Sequence, residues 1–432
     1  MSYPLGLECI RCRTAYEVGP LYKGCPACLE RGLPTNLRVV VDGDRIRRSF
    51  SPNSLSDRPA SMWRYWEFLP AAPESAISLG EGFTPLVHLP RLGRRLGLSQ
   101  LYVKNETMNP TWSFKDRLAS SAVSFAPSLG AKVITGSSSG NAGAATAAYA
   151  ARAGMPCVMF TTQQFPLAMK VQMGVYGTKL IAVPTIYDRW RLVEAAVERF
   201  GWFPVTVFVY PLVGSNIYGI EGYKTIAYEL VDQLGRVPEK VVMPVGAGDA
   251  FFGAWKGFQE YRDLGYADGV PTMLAGEVFA PLQNAQEKDL DHVEETEMGP
   301  TVAISVGLNT STYQALSVLN DSGGVARSAT DEEMISMQKL LASEEGIYAE
   351  ASSVLSLAVI PRLIEANAID PDETVVALLT SSGLKHPEMT AENLMEIPLI
   401  EPELDAVTRV LRETYHFDVA EAVIADAQGG SR

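Results

Sequence analysis

The sequence predicts an α/β protein in which two doubly wound, mostly parallel sheet domains follow a small amino-terminal cysteine module. Three observations carry this expectation. Short, nearly all-apolar runs alternate with longer segments of helical spacing, as in parallel sheets covered on both faces. Four of the five cysteines fall within the first 28 residues, in two similar pairs. A chain of 432 residues is too long for one hydrophobic core, so two or three domains are expected.

Residues 1–48 are rich in turn formers and cysteine and read as a separate module. Residues 49–74 include Ser51-Pro52-Asn53 and Arg58-Pro59-Ala60-Ser61, show little periodicity, and read as a linker. From about residue 75 the alternation sets in. Residues 101–103, 132–135, 157–160, 180–183, 241–245 and 374–379 read as strands, and residues 140–153 and 219–234 as helices. No fixed-period repeat is present.

Composition removes several function classes. The chain is 47% apolar and 20% charged, with net charge −14. Nucleic-acid and acidic-membrane surfaces need concentrated Lys and Arg, so neither partner is expected. The run Met1-Ser2-Tyr3-Pro4-Leu5-Gly6 lacks the basic and apolar regions of a secretory signal. The Ala-rich stretch 142–153 is too short to span a bilayer. A cytoplasmic protein acting on a small molecule is the expectation.

Ligands of parallel sheets sit where strands run into helices, so the loops after strands are the places to look for chemistry. The first is Asn109-Pro110-Thr111-Trp112-Ser113-Phe114-Lys115-Asp116-Arg117. A lysine at a helix start is disfavoured in its protonated form, and a partly neutral lysine suits imine chemistry with an aldehyde cofactor. The second, Gly136-Ser137-Ser138-Ser139-Gly140-Asn141-Ala142-Gly143, offers free amides and hydroxyls to a carboxylate. The third, Gly246-Ala247-Gly248-Asp249-Ala250, lets backbone approach a phosphate. It lacks the third glycine of a dinucleotide fingerprint and the Gly-Lys ending of a P-loop. The fourth is Thr380-Ser381-Ser382-Gly383. A rival reading takes Gly136-Ser137-Ser138-Ser139-Gly140 as the nucleophile turn of a serine hydrolase, with Ser138 served by His292, His386 or His416. It leaves Lys115 and the glycine loop without a role.

Lys104 to Arg117 resembles the Lys-x-Glu…Asn-Pro-Thr-x-Ser-Phe-Lys-Asp-Arg signature of the threonine synthase branch of the fold-type II (tryptophan synthase β) pyridoxal-phosphate enzymes. Further segments match in the same order: Ser138-Ser139-Gly140-Asn141, Gly219-Ile220-Glu221-Gly222-Tyr223-Lys224-Thr225, the third loop, and Leu379-Thr380-Ser381-Ser382-Gly383-Leu384-Lys385. The resemblance covers about residues 75–390. It implies a large cofactor-binding domain from residues 75–125 and 216–425, a small domain from 126–215, and a homodimer. By the same resemblance Lys115 carries the cofactor as a Schiff base and shuttles protons, and Asn141 meets the 3′-oxygen. Gly246, Ala247, Gly248, Asp249 and Ala250 hold its phosphate through their backbone, with the Asp249 side chain turned away, and Thr380 meets the pyridine nitrogen. Ser137, Ser138, Ser139, Gly140 and Asn141 receive the substrate carboxylate, beside Trp112 and Ser113.

The implied chemistry is α-proton removal followed by β- or γ-elimination or replacement on an activated amino acid. Three departures fall on the substrate side. Trp112 replaces a glycine, and Ser305 and Leu308 replace arginine and asparagine in Ile304-Ser305-Val306-Gly307-Leu308-Asn309-Thr310. The substrate therefore stays open between O-phosphohomoserine, O-phosphoserine in a cysteate synthase-like β-replacement, and a specialised lyase substrate. A non-catalytic cofactor-binding adaptor is the non-enzyme alternative.

Cys9-Ile10-Arg11-Cys12 and Cys25-Pro26-Ala27-Cys28 lie twelve residues apart. Two such pairs complete a four-sulfur tetrahedral zinc site, and full coordination makes the metal structural. The module is expected to be zinc-ribbon-like, while Cys157, in an apolar run, reads as core.

Overall fold

The apolar runs pair into three sheets in the computed structural model, which describes residues 4–418. The strands are β1 (Pro4–Cys9), β2 (Ala15–Tyr16), β3 (Leu37–Val41), β4 (Leu86–His88), β5 (Gln100–Asn105), β6 (Ile134–Ser137), β7 (Cys157–Thr161), β8 (Lys179–Ala182), β9 (Phe203–Pro204), β10 (Lys240–Pro244), β11 (Thr272–Glu277), β12 (Ala326–Ser328) and β13 (Thr374–Leu379). The amino-terminal strands form an antiparallel sheet in the order β2-β1-β3. The largest sheet runs β12-β11-β10-β13-β5-β4, parallel except for the edge strand β4. The third, β8-β7-β6-β9, is wholly parallel.

Position in the sheet explains the composition of each strand. β13 lies between β10 and β5, and every one of its residues is buried, hence its unbroken Thr-Val-Val-Ala-Leu-Leu run. β8 is an edge strand, and most of its residues are exposed. β6 begins two residues later than the pattern suggests and takes in Gly136 and Ser137, because these pair with Met159 and Phe160 of β7. The pairing therefore carries the serine-rich turn directly off a strand end.

Helices cover the sheets, and the one that matters most is Lys115–Phe125. Two glycines set its neighbours. A Cβ on Gly222 would lie 2.0 Å from the Arg117 carbonyl oxygen, and one on Gly257 would lie 2.5 Å from that of Lys224. The turn Glu221–Tyr223 therefore approaches Lys115–Phe125, and Asp249–Asp263 approaches Lys224–Leu234, more closely than a side chain at Gly222 or Gly257 would permit.

Residues 49–74, expected to be a linker, pack against the rest of the fold. They contain the 3₁₀ turns Pro52–Asp57 and Met62–Phe68, and they bury Met62, Trp63, Tyr65, Phe68 and Leu69. The Trp63 indole donates to Ser120 Oγ at 2.9 Å, strapping this segment onto the Lys115 helix. Short 3₁₀ turns have no 3.6-residue period, so the burial leaves no helical pattern to read.

Residues up to Met389 make one compact unit and Thr390–Arg432 a second, whose described part contains the helix Leu404–Glu413. The expected large domain runs across both, and its last residues, 419–425, lie outside the described ones. Among the described residues no helix is long and apolar enough to cross a membrane.

Candidate active site

The lysine loop is fixed to the end of β13. The Phe114 amide donates to the Thr380 carbonyl at 2.8 Å, the Ser382 amide donates to that of Trp112 at 3.0 Å, and Ser113 bridges to Ser381. The Asp116 carboxylate takes the Thr111 amide at 2.7 Å and the Thr111 hydroxyl, which closes the turn. Lys115 is thereby placed at the first position of its helix, half-buried. Among the described residues its amine has no hydrogen-bond acceptor. It lies over the rings of Phe114 at 4.3 Å and Tyr223 at 5.6 Å. Burial pulls its pKa below the ordinary lysine value, and the Asp249 charge opposes this only in part.

All four loops border one cleft of about 760 Å³. The glycine loop lines it and opens the Asp249–Asp263 helix. Gly248 has φ +79°, and a Cβ there would collide with Ala315 at 2.4 Å. Ser311 Oγ and Thr312 Oγ1 hold the carbonyls of Gly246 and Ala247 at 2.6 and 2.7 Å. The amides of Gly246, Ala247, Gly248, Asp249 and Ala250 have no acceptor among the described residues, an array suited to a phosphate. The Asp249 carboxylate is engaged by the Ser215 amide at 3.0 Å, Ser215 Oγ at 2.6 Å and Gln314 Nε2 at 2.6 Å.

On the other wall, Ser137, Ser138, Ser139, Gly140 and Asn141 all line the cleft. Asn141 opens the Asn141–Arg152 helix, and its amide and that of Ala142 have no protein acceptor among the described residues. Its side chain is buried, with Nδ2 donating to Glu350 at 2.9 Å and Oδ1 left without a partner. Ser137 Oγ is likewise buried and unpartnered. Both residues line the cleft, so these two atoms are available to a ligand there. Thr380 Oγ1 pairs with Ser353 Oγ at 2.9 Å, and Ser353 Oγ also takes the Ser381 amide at 2.8 Å.

Sequence reasoning missed Glu350, Ser353 and Arg189. The Glu350 carboxylate joins Asn141 to Ser305 and Ser381 Oγ, thereby linking three loops. Its only local signal is a polar Glu-Ala-Ser-Ser stretch at the head of the apolar helix Ala351–Ala358. Arg189 lines the cleft from the helix Ile186–Phe200, whose charge pattern reads as a solvated face.

Two residues placed near the substrate stand apart from the cleft lining. Trp112 is 47% exposed, with φ +64°, and Ser113 is buried beneath the loop. The hydrolase reading also fails. Ser138 Oγ accepts the amides of Gly140 at 3.1 Å and Gly143 at 3.0 Å, so it caps its own helix, and no described histidine hydrogen-bonds to it.

In the amino-terminal module the four paired cysteines converge, their sulfurs all within 4.8 Å of one another and none in a disulfide. Cys9 and Cys28 are 3.6 Å apart, as are Cys12 and Cys25. Tetrahedral ligands about 2.3 Å from a zinc ion lie about 3.8 Å apart, so the spacing suits that metal. The amides of Arg11 and Cys12 point at Cys9 Sγ, and that of Cys28 at Cys25 Sγ, each at 3.4 Å.

A lysine amine whose protonation burial disfavours, sharing a cleft with an array of free amides, suits the two demands of an aldehyde that carries a phosphate. Fold and site together are those of an enzyme built around such an aldehyde cofactor. The chain belongs to the pyridoxal-phosphate dependent enzyme family, whose model matches residues 77–381. It is similar to the threonine synthase of Methanocaldococcus jannaschii, 36% identical over 413 residues that cover 94% of this chain and 99% of that one. The threonine synthase of Methanosarcina acetivorans is 34% identical, over 94% of this chain and 98% of its own. Diaminopropionate ammonia lyase from Escherichia coli shares the fold, with TM-score 0.62 and 17% identity over 73% of this chain and 89% of that one.

Proposed function

We propose that the protein is a threonine synthase-like lyase or synthase catalysing β- or γ-elimination or replacement on an activated amino acid. The observation that carries this reading is the unpaired Lys115 amine set in one cleft with five free amides and the orphaned Asn141 oxygen. Bound there, pyridoxal phosphate supplies an electron sink for charge at the substrate Cα. Lys115 would hold it and is placed to take the α-proton. The amides of Gly246, Ala247, Gly248, Asp249 and Ala250 bind its phosphate. Glu350 fixes the Asn141 side chain that would meet the group, and the Thr380 and Ser353 hydroxyls would offer it neutral hydrogen-bonding partners. The free amides of Asn141 and Ala142 receive the substrate α-carboxylate.

A screen of O-phosphorylated, O-acetylated and hydroxy amino acids, following release of phosphate, acetate or ammonia together with keto-acid formation, tests this. One or more substrates should turn over; a colourless protein that fails to bind the cofactor would sink the proposal. A primary amine captures an aldehyde only in its neutral form. Capture of the cofactor by the apoprotein should therefore persist well below pH 10.5. Asp249→Asn removes the charge that favours the ammonium, so the inflection of capture rate against pH should move lower still. A move upward would contradict the assigned electrostatics.

The amino-terminal module is proposed to hold one structural zinc ion on Cys9, Cys12, Cys25 and Cys28. It docks on the catalytic unit through Tyr218, whose hydroxyl donates to the Gly19 carbonyl at 2.7 Å, and through Lys256, which donates to that of Val39 at 2.6 Å. Cys9→Ser should empty the site by metal analysis and lower the melting temperature, while any folded fraction keeps its catalytic rate. A folded, cofactor-loaded and inactive Cys9→Ser protein would assign the metal a role in the chemistry. The same resemblance implies a cytoplasmic homodimer, to be read by light scattering of the purified protein.

A further inference from the structure

Arg189 is only 8% exposed and borders the cleft. Its Nη1 donates to Ser139 Oγ at 2.6 Å, and its Nε is buried with no partner. No carboxylate lies within ion-pair distance among the described residues. The buried cations Lys104, Arg117, Lys224 and Lys256 each meet a buried carboxylate. Arg64 and Lys385 also lack one among the described residues, but both donate to backbone carbonyls and neither borders the cleft. On the same helix Arg191 turns outward to Asp188 at 3.3 Å. Burial pulls the Arg189 pKa below its ordinary value, yet a guanidinium stays charged in proteins. A buried charge without a counter-ion is costly, and one lining a ligand cleft gains its counter-ion from the ligand.

The surroundings extend this into a subsite. Ser139 Oγ lies 2.9 Å from Thr161 Oγ1 and 3.1 Å from Thr162 Oγ1, so hydroxyls cluster beside the guanidinium. Ser139 and Thr162 also line the cleft. The free amides of Asn141 and Ala142 already form a neutral receptor for one carboxylate. Besides the glycine-loop amides, the cleft thus offers two anion sites of different character, amides at one and a full positive charge at the other. A substrate with a single carboxylate fills only one of them.

We infer that Arg189, with the hydroxyls of Ser139 and Thr162, is a specificity-determining residue that binds a second oxyanion, a phosphate or carboxylate, on the side chain of the amino-acid substrate. This inference rests on the amino-acid cleft proposed above. Planar, bidentate recognition of either group is what a guanidinium does better than an ammonium.

The test uses the cofactor-loaded full chain and three unreactive or slow probes read by absorbance change. L-2-amino-4-phosphonobutyrate carries a side-chain phosphonate, L-glutamate a side-chain carboxylate, and L-2-aminobutyrate neither. Arg189→Gln should weaken the probe or probes with the matching anion by about 10- to 100-fold. It should leave L-2-aminobutyrate within about twofold, with cofactor affinity and melting temperature unchanged. Arg189→Lys should restore part of the lost affinity. Selective loss on the phosphonate identifies a phosphate-bearing substrate, and selective loss on glutamate a dicarboxylate.

Equal loss on all three probes would move Arg189 to the α-carboxylate and overturn the inference. Weakened cofactor binding would assign it to the cofactor phosphate and overturn the inference as well. So would an unchanged Arg189→Gln protein, or a wild type that binds anionic probes no better than L-2-aminobutyrate. Failure of the underlying reading looks different: the wild type then binds no cofactor. In that case thermal shifts of the cofactor-free chain with the same probes, wild type against Arg189→Gln, still decide the role of Arg189.

Discussion

Replacing Lys115 by alanine is expected to remove the visible absorbance of the lysine-bound cofactor and to lower turnover by about a thousandfold or more. The same change should leave the fold intact. Lys115 makes no ion pair and no hydrogen bond among the described residues, and its contacts are the rings of Phe114 and Tyr223. Removing a desolvated, unpaired amine relieves a cost rather than adding one, so stability to urea should hold or rise slightly. Absorption spectra, turnover and urea unfolding of one preparation therefore separate the two roles. Turnover within tenfold of wild type would reject Lys115 as the proton carrier. A large loss of stability would show that it supports the fold after all.

Arg117→Ala should have the largest effect on stability, about 3–5 kcal/mol, because it leaves two carboxylates buried and underpaired. Arg117 is fully buried on the helix that begins at Lys115. Its guanidinium meets Glu106 at 2.7 and 2.8 Å and Glu229 at 2.6 and 2.8 Å, and donates to Thr225 Oγ1 at 2.7 Å. Burial alone would raise the Glu229 pKa, but the Arg117 and Lys104 charges outweigh it and hold the group at about 2. Glu106 is depressed as well, against the same burial, by Arg117. A carboxyl whose folded pKa is depressed contributes stability that is present above its unfolded value and lost as pH falls toward the folded one. For Glu229 that window runs from about 4.5 down to about 2. Arg117→Ala should therefore unfold at a higher pH on acidification than the wild type. Arg117→Lys should recover only part of the loss, since an ammonium lacks the planar fork that gives each carboxylate two N–H groups. Urea and acid titrations followed by circular dichroism give both numbers. A urea stability within about 1 kcal/mol of wild type would show that Glu106 and Glu229 find other partners.

These two residues lie two positions apart in one motif and do opposite things. The Asn-Pro-Thr-x-Ser-Phe-Lys-Asp-Arg run reads as a cofactor signature from end to end. The structure divides it: Lys115 faces the cleft, whereas Arg117 faces Glu106 and Glu229 in the core. Helical geometry turns residues at that spacing to different sides, so adjacency in a motif does not mean a shared task.

The sequence by itself determined what is local. Strand runs, helix starts, the glycine loop and the Cys-x-x-Cys knuckles depend on backbone propensity and close spacing, which a few consecutive residues encode. Hence the strands at 374–379 and 157–160, and Lys115 and Asn141 as the first residues of their helices, were all legible. β11 was not, because Thr-Met-Leu-Ala-Gly-Glu contains little β-branched signal and becomes a strand by lying between β10 and β12. Nor were the aromatic residues of the 49–74 strap, which become core only against Tyr228 and the Lys115 helix.

Only the tertiary structure decided which polar side chains share the cleft. Glu350 reaches Asn141 across 209 positions of sequence, and Arg189 leaves an amphipathic helix to meet Ser139 fifty residues earlier. Whether a charged side chain is solvated or buried without a counter-ion depends on what packs over it, and no run of neighbours in the chain records that. The lysine, serine-rich and glycine turns that line the cleft are local and could be read. Glu350 and Arg189 join them from distant chain segments and had to be seen.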